Sequence, residues 1–196
     1  MFAVNPCAAG CGKAAITGQN LCFVHLANPE QEIKRITEYI KVNKVVKDLN
    51  ISGVNFKDVD FSSHHFYGCN FYDASFINCN FSGSKIGMSF FDFSRLKNCD
   101  FSKSDIQFVS FAGATIDHCS YENSEIIHVN FEGAVISHTS FSNSNLYNSR
   151  FISADMDNVK IVNCNLMRAY FAGSKQNDVL FKSSNTGEAI FGTENP

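Results

Sequence analysis

The chain has 196 residues, 44 % of them apolar and 18 % charged, with a net charge of −3 and a mean hydropathy of −0.10. That composition fits one ordered domain with a small appendage and excludes both a disordered chain and a strongly basic nucleic-acid binder. No apolar run approaches the ~18 residues that cross a bilayer. Met1-Phe2-Ala3-Val4-Asn5-Pro6-Cys7 lacks the basic and apolar parts of a secretory leader, so a cytoplasmic protein is expected.

The first element, residues 1–27, contains Cys7-x3-Cys11-x10-Cys22-x2-His25, with Gly10, Gly12 and Gly18 between the ligand types. Three thiolates and an imidazole complete a tetrahedral Zn²⁺ set, and four protein ligands leave no position open for water. A segment this short cannot bury enough core to fold without a staple, which favours a structural metal over a loop with incidental thiols. Ala9-Gly10-Cys11-Gly12 and Gly18-Gln19-Asn20-Leu21-Cys22-Phe23-Val24-His25 resemble small zinc-binding knuckles that precede unrelated bacterial domains. One structural zinc per chain is expected, on Cys7, Cys11, Cys22 and His25.

Asn28-Pro29-Glu30-Gln31 reads as a helix start, with Asn at the cap and Pro in the first turn. Ile33, Ile36 and Ile40 share one face, and Val42, Val45, Val46 and Leu49 continue on a slightly rotated one. One or two helical pieces are predicted over 29–48, within a cap that spans 28–50. This face either covers the open end of the domain after residue 50 or mediates self-association.

From Ile51 a five-residue period begins. It runs through Phe56, Phe61, Phe66 and onward to Phe191; 27 of its 29 positions are apolar or aromatic, against about 13 expected from composition. Fifteen of the 20 Phe occupy this one slot. Two residues earlier lies a slot of Ala, Cys, Ser, Thr and Val, broken only by His64. Two inward residues separated by two match an extended chain, whereas a period of five demands a turn in every repeat. Stepping by 20 gives Phe71, Phe91, Phe111, Phe131, Phe151, Phe171 and Phe191, so like stacks on like when a coil holds four repeats. Gly53, Gly113, Gly133 and Gly173 share one column and suit a turn that needs positive φ. The expected architecture over 51–196 is a four-sided β-helix of about seven coils, about 34 Å long, with a cap at each end.

Cys79-Asn80-Phe81-Ser82-Gly83, Cys99-Asp100-Phe101-Ser102-Lys103 and Ala154-Asp155-Met156-Asp157-Asn158 resemble the pentapeptide-repeat family, whose consensus is roughly A(D/N)LXX. The resemblance implies a right-handed quadrilateral β-helix and little about activity.

Cys69, Cys79, Cys99, Cys119 and Cys164 fall in the small inward slot and read as reduced, buried packing residues. His118 and His138 lie one coil apart; they could hold a metal ion, or belong to a solvated polar ladder. No phosphate loop, dinucleotide fingerprint, nucleophile elbow or zinc-protease motif occurs, so no enzyme is expected. The favoured role is a scaffold for protein–protein interaction. The alternative, drawn from the resemblance, is a modulator of DNA gyrase or a related topoisomerase by DNA mimicry. Residues 51–196 carry 10 Lys and Arg against 15 Asp and Glu. A balance of −5 is thin beside duplex DNA, with one charge per ~1.7 Å.

A partner surface is expected where outward slots turn apolar. Tyr67, Ile127, Tyr147 and Met167 follow the central residue on one side, and Met88, Phe108 and His128 occupy the next slot. Tyr170, Leu180, Ile190 and Phe191 surround the departures Gln176 and Thr186 at the C-terminal end; by resemblance this end could form a homodimer, as could the N-terminal helix. Neither direct nucleic-acid binding nor membrane association is expected.

Overall fold

The computed structural model describes residues 5–192; Met1–Val4, where a secretory leader would begin, lies outside them. From Val45 onward the chain winds with 20 residues per turn. Val45–Lys47 pairs in parallel with His65–Tyr67, bringing Val46 opposite Phe66, and every later pair keeps this offset. One five-stranded sheet continues through Lys85–Gly87, Asp105–Gln107 and Glu125–Ile127. A seven-stranded sheet runs half a coil away, from Asn55–Lys57 to Lys175–Asn177. Between them, single bridges such as Asn50↔Asn70 and Asp60↔Asn80 form the other two faces. The result is a four-sided parallel β-solenoid of about seven turns.

Through Phe171, each repeat buries its central residue and, Val59 apart, the small residue two positions before it; Phe71, Phe91, Phe111, Phe131 and Phe151 are at most 1 % exposed. Their rings form one continuous stack, with centroids 4.3, 4.8, 5.2 and 4.8 Å apart. A second stack of Phe61, Phe81, Phe101, Tyr121 and Phe141 meets the first edge to face, as aromatic quadrupoles prefer. Where the small slot is polar, its side chains are hydrogen-bonded, Ser94 excepted. Ser124 Oγ donates to the Phe101 carbonyl at 3.0 Å and accepts from the Ser104 N–H at 3.1 Å. Cysteine takes the same role, Cys164 Sγ donating to the Phe141 carbonyl. Burial pushes the Cys69 thiol up to about 11, which suits an unreactive packing residue.

The corner of each repeat is a residue with φ near +55°. Gly113 and Gly133 supply it freely, but Asp58, Asn78, His118 and Phe108 adopt it too. The Ala74 N–H closes onto the Phe71 carbonyl at 3.1 Å around Asp73, so positive φ falls on the third residue of a turn.

Tyr121 is fully buried and its hydroxyl has no hydrogen-bond partner. Replacing it with Phe keeps the ring stack and removes a desolvated polar group. Tyr121→Phe is therefore expected to stabilise the protein by about 1 kcal/mol, read as a higher urea midpoint with an unchanged slope.

At the N-terminal end, the helix Pro29–Val42 begins as expected, Asn28 Oδ1 accepting from the Gln31 N–H at 3.1 Å. Ile36 and Ile40 are buried in one cluster with Ile16 and Phe23 of the preceding segment and Val46, Leu49 and Ile51 of the first coil. His64, in the small slot, places Nε2 3.1 Å from the Ile40 carbonyl and so ties the helix end to the solenoid. The expected helical continuation to residue 48 is corrected: Val45–Lys47 is a strand and Asp48 a positive-φ corner. Val46 is the central residue one repeat before Ile51, and Leu49 fills the small slot. Their spacing fits both a helical face and the repeat, and pairing of β-branched Val45-Val46 with the next coil decides between them.

The C-terminal end closes differently. Gln176 lies exposed in the last strand, and a 3-10 turn, Thr186–Glu188, replaces the strand that would come next. Its Glu188 carbonyl accepts from the Arg168 N–H at 3.0 Å, and Asn185 Oδ1 accepts from the Leu166 N–H. These contacts satisfy backbone donors that another coil would otherwise have covered.

Candidate metal centre and surface stripe

The segment before the helix is a chain of tight turns that converge four ligand atoms. The Gly10 N–H bonds to the Cys7 carbonyl, and Gly10 and Gly12 adopt φ of 69° and 77°. The second half turns at Gly18, and a 3-10 turn, Phe23–His25, brings His25 back over Cys22. The Sγ atoms of Cys7, Cys11 and Cys22 and a ring nitrogen of His25 all lie within 4.8 Å of one another. Cys7 Sγ to His25 Nδ1 is 3.5 Å, Cys22 Sγ to His25 Nδ1 is 3.4 Å and Cys11 Sγ to Cys22 Sγ is 3.6 Å. A tetrahedron with Zn–S near 2.3 Å and Zn–N near 2.0 Å has edges of about 3.5–3.8 Å, so the donor set and its spacing fit zinc.

Electrostatics point the same way. The Cys22 N–H, 3.3 Å from Cys7 Sγ, is the main cause that brings the Cys7 thiol down to about 6. The Cys22 thiol is pushed up, first by burial and then by its sulfur neighbour Cys11. A cation between the sulfurs would relieve that repulsion.

This knuckle is anchored to the solenoid by polar contacts that the sequence did not announce. Asn50 Nδ2 donates to the Ala15 carbonyl at 2.7 Å, and the Asn50 N–H donates to Thr17 Oγ1 at 2.8 Å. Glu32, only 5 % exposed, pairs with Arg35 and accepts from Gln19 Nε2, while Arg35 also donates to the Thr17 carbonyl.

The outward stripe is contiguous. The Tyr67 hydroxyl lies 2.9 Å from Met88 Sδ. Phe108 stacks on His128 at 4.9 Å, His128 meets Tyr147 edge to face, and Arg168 Nη1 donates to the Tyr147 hydroxyl. Tyr67, Met88, Phe108 and Met167 are exposed, whereas Ile127, His128 and Tyr147 are half-buried. Met88 and Phe108 sit at corners, with φ of 49° and 55°. Of the end group, Leu180 is exposed and Tyr170 and Ile190 are half-buried. Phe191 stacks on Phe171 at 5.0 Å as the terminal ring of the internal column. Sequence periodicity missed an exposed pair on another edge, Tyr72 and Phe93, whose rings meet at 5.5 Å.

Among the described residues no helix is long and apolar enough to cross a membrane. No curated protein matches the sequence significantly. Several solved structures share weak similarity. Trypsin-treated QnrB1, a plasmid-mediated fluoroquinolone resistance protein, is 23 % identical over 76 % of this chain and 71 % of its own, with a TM-score of 0.49. HetL, a pentapeptide repeat protein involved in heterocyst differentiation regulation in Nostoc sp. strain PCC 7120, is 12 % identical over 82 % and 96 %, with a TM-score of 0.29. Rfr23, a pentapeptide repeat protein from Cyanothece 51142, is 13 % identical over 81 % and 99 %, with a TM-score of 0.36. The family model for pentapeptide repeats in eight copies matches residues 50–86, and that for a pentapeptide repeat region matches 114–191. The chain belongs to the pentapeptide-repeat family.

Proposed function

We propose that this protein is a non-enzymatic scaffold that receives a protein partner along the Tyr67–Met167 stripe. In this reading, residues 1–27 form a knuckle stapled by one structural zinc on Cys7, Cys11, Cys22 and His25. Residues 28–44 cap the repeat rod, which starts at Val45. The eight cysteines, none in a disulfide, suit a reducing compartment such as the cytoplasm.

The observation that carries the partner surface is the pairing of strain with exposure. A left-handed corner is cheapest with Gly, Asn or Asp and costs about 1 kcal/mol or more with a bulky side chain. Met88 and Phe108 bear that cost while remaining 50 % and 55 % exposed, so burial in the core does not offset it. Contact with a partner would. Tyr, Met, Phe and Arg are also the types enriched at protein interfaces.

The test uses two double variants. Phe108→Ser with Tyr147→Ser is expected to abolish retention of partners from native lysate while leaving the oligomeric state unchanged. Leu180→Asp with Ile190→Asp should alter self-association at the C-terminal end and spare partner retention. If the first variant retains every partner that the wild type does, the stripe is not the interface.

A further inference from the structure

A second group of metal-ligating side chains lies on the rod itself, far along the chain from the knuckle. His118 and His138 are successive rungs of one corner column, and their rings stack at 4.4 Å, 14° from parallel. Both turn Nδ1 toward the same carboxylate oxygen, Asp117 Oδ1, at 2.7 and 3.5 Å. Elsewhere this column is a ladder of amides and carboxylates: Asn78 Nδ2 donates to Asp58 and Asn98 Nδ2 to Asn78. The two histidines interrupt that ladder with groups that bond poorly to each other yet converge on one point.

We propose that Asp117, His118 and His138 form a surface site for a divalent first-row transition-metal ion. Metal–N and metal–O bonds of about 2.0–2.2 Å require ligand atoms about 2.9–3.4 Å apart, and the observed 2.7 and 3.5 Å bracket that range. The two exposed rings must turn out of their stack by tens of degrees to aim both Nδ1 lone pairs at one ion beside Oδ1, a movement that their exposure allows. Ser137 Oγ donates to Asp117 Oδ1 at 2.8 Å and holds the carboxylate in place, the part that an outer-shell partner plays in metal sites.

Two imidazoles and one carboxylate select borderline cations such as zinc, cobalt, nickel and copper over magnesium or calcium. The imidazole side chains are 55 % and 44 % exposed, and a shallow pocket of about 220 Å³ opens beside them toward Asn158 and Lys160. Three protein ligands on one side leave the remaining coordination positions to solvent. The site is therefore exchangeable, unlike the closed four-ligand knuckle.

The experiment titrates Co²⁺ into the full-length chain loaded with a single equivalent of zinc and freed of excess metal, following heat and visible absorption. One cobalt beyond the zinc is expected, with a dissociation constant in the micromolar range and no thiolate charge-transfer band. A thiolate band would mark exchange at the knuckle instead. His118→Asn with His138→Asn should weaken uptake at least 100-fold while preserving the fold, because Asn is the native rung at 78, 98 and 158. Asp117→Asn should weaken it about 10-fold. Absence of cobalt uptake outside the thiolate band overturns the proposal, as does equal uptake by the double histidine variant.

Discussion

Phe111→Ala is expected to destabilise the rod by about 3–5 kcal/mol, the range for emptying a fully packed aromatic position. Phe111 lies between Phe91 and Phe131 in its own column, at 4.8 and 5.2 Å, and meets Phe101 and Tyr121 edge to face. Four rings would therefore border the void. No neighbouring side chain can relax into it without leaving its own rung, because every rung is fixed by backbone bonds to the coils on either side. In a solenoid each coil touches only its neighbours, so the lesion falls on one interface and weakens cooperativity between the two halves. Urea titration followed by far-UV circular dichroism measures it. A loss under about 1 kcal/mol would contradict close packing at this rung. Phe108→Ala, only three residues away but exposed, provides the control and should change stability little.

Chelation of the metal is expected to have the other large effect. Structural zinc contributes roughly 10–16 kcal/mol of binding free energy in comparable small units, more than the remaining contacts of a segment this short can replace. Residues 5–27 should lose order on treatment with a chelator. The loss will not stop there. Ile16 and Phe23 share a cluster with Ile36, Ile40 and Val46, and Asn50 would lose its bonds to Ala15 and Thr17. Amide exchange should accelerate at Val46–Ile51 while staying slow at Phe111–Phe151. Elemental analysis of reductant-treated protein should find one zinc per chain at the knuckle, and its absence there would remove the premise. Because protons compete for thiolates, and burial already keeps Cys22 protonated at neutral pH, loading of the metal-free segment should weaken throughout as the pH falls and more steeply below about 6, where Cys7 also takes a proton.

The solenoid is legible in the sequence because its constraints recur: a bulky inward residue every five, like stacking on like every 20. The first coil is not, since Lys41 ends the period one repeat before Val46 while Val42, Val45, Val46 and Leu49 satisfy helical spacing equally well. The corners are half legible. Four aligned glycines reveal a positive-φ column, but Asn, Asp, Ser and His adopt the same conformation elsewhere and conceal that every repeat has it. The convergence of Cys7, Cys11, Cys22 and His25 is legible from their spacing. Asp117 does not join His118 and His138 until the turn geometry swings its side chain toward both. Glu32 reads as an ordinary surface acid, and only docking of the knuckle buries it against Arg35.

The constant winding of 20 residues per turn makes position along the sequence an angular address. Five residues turn the chain by about a quarter revolution, so an insertion of five preserves the backbone ladder and the inward slots yet rotates everything beyond it. Placed between His118 and His138, it would put the two imidazoles on different faces; placed between Phe108 and Tyr147, it would split the stripe. Insertion or loss of 20 residues restores phase and merely lengthens or shortens the rod. Selection on surface function therefore acts on this gene as a reading frame acts on codons, with whole coils as the tolerated unit of length change.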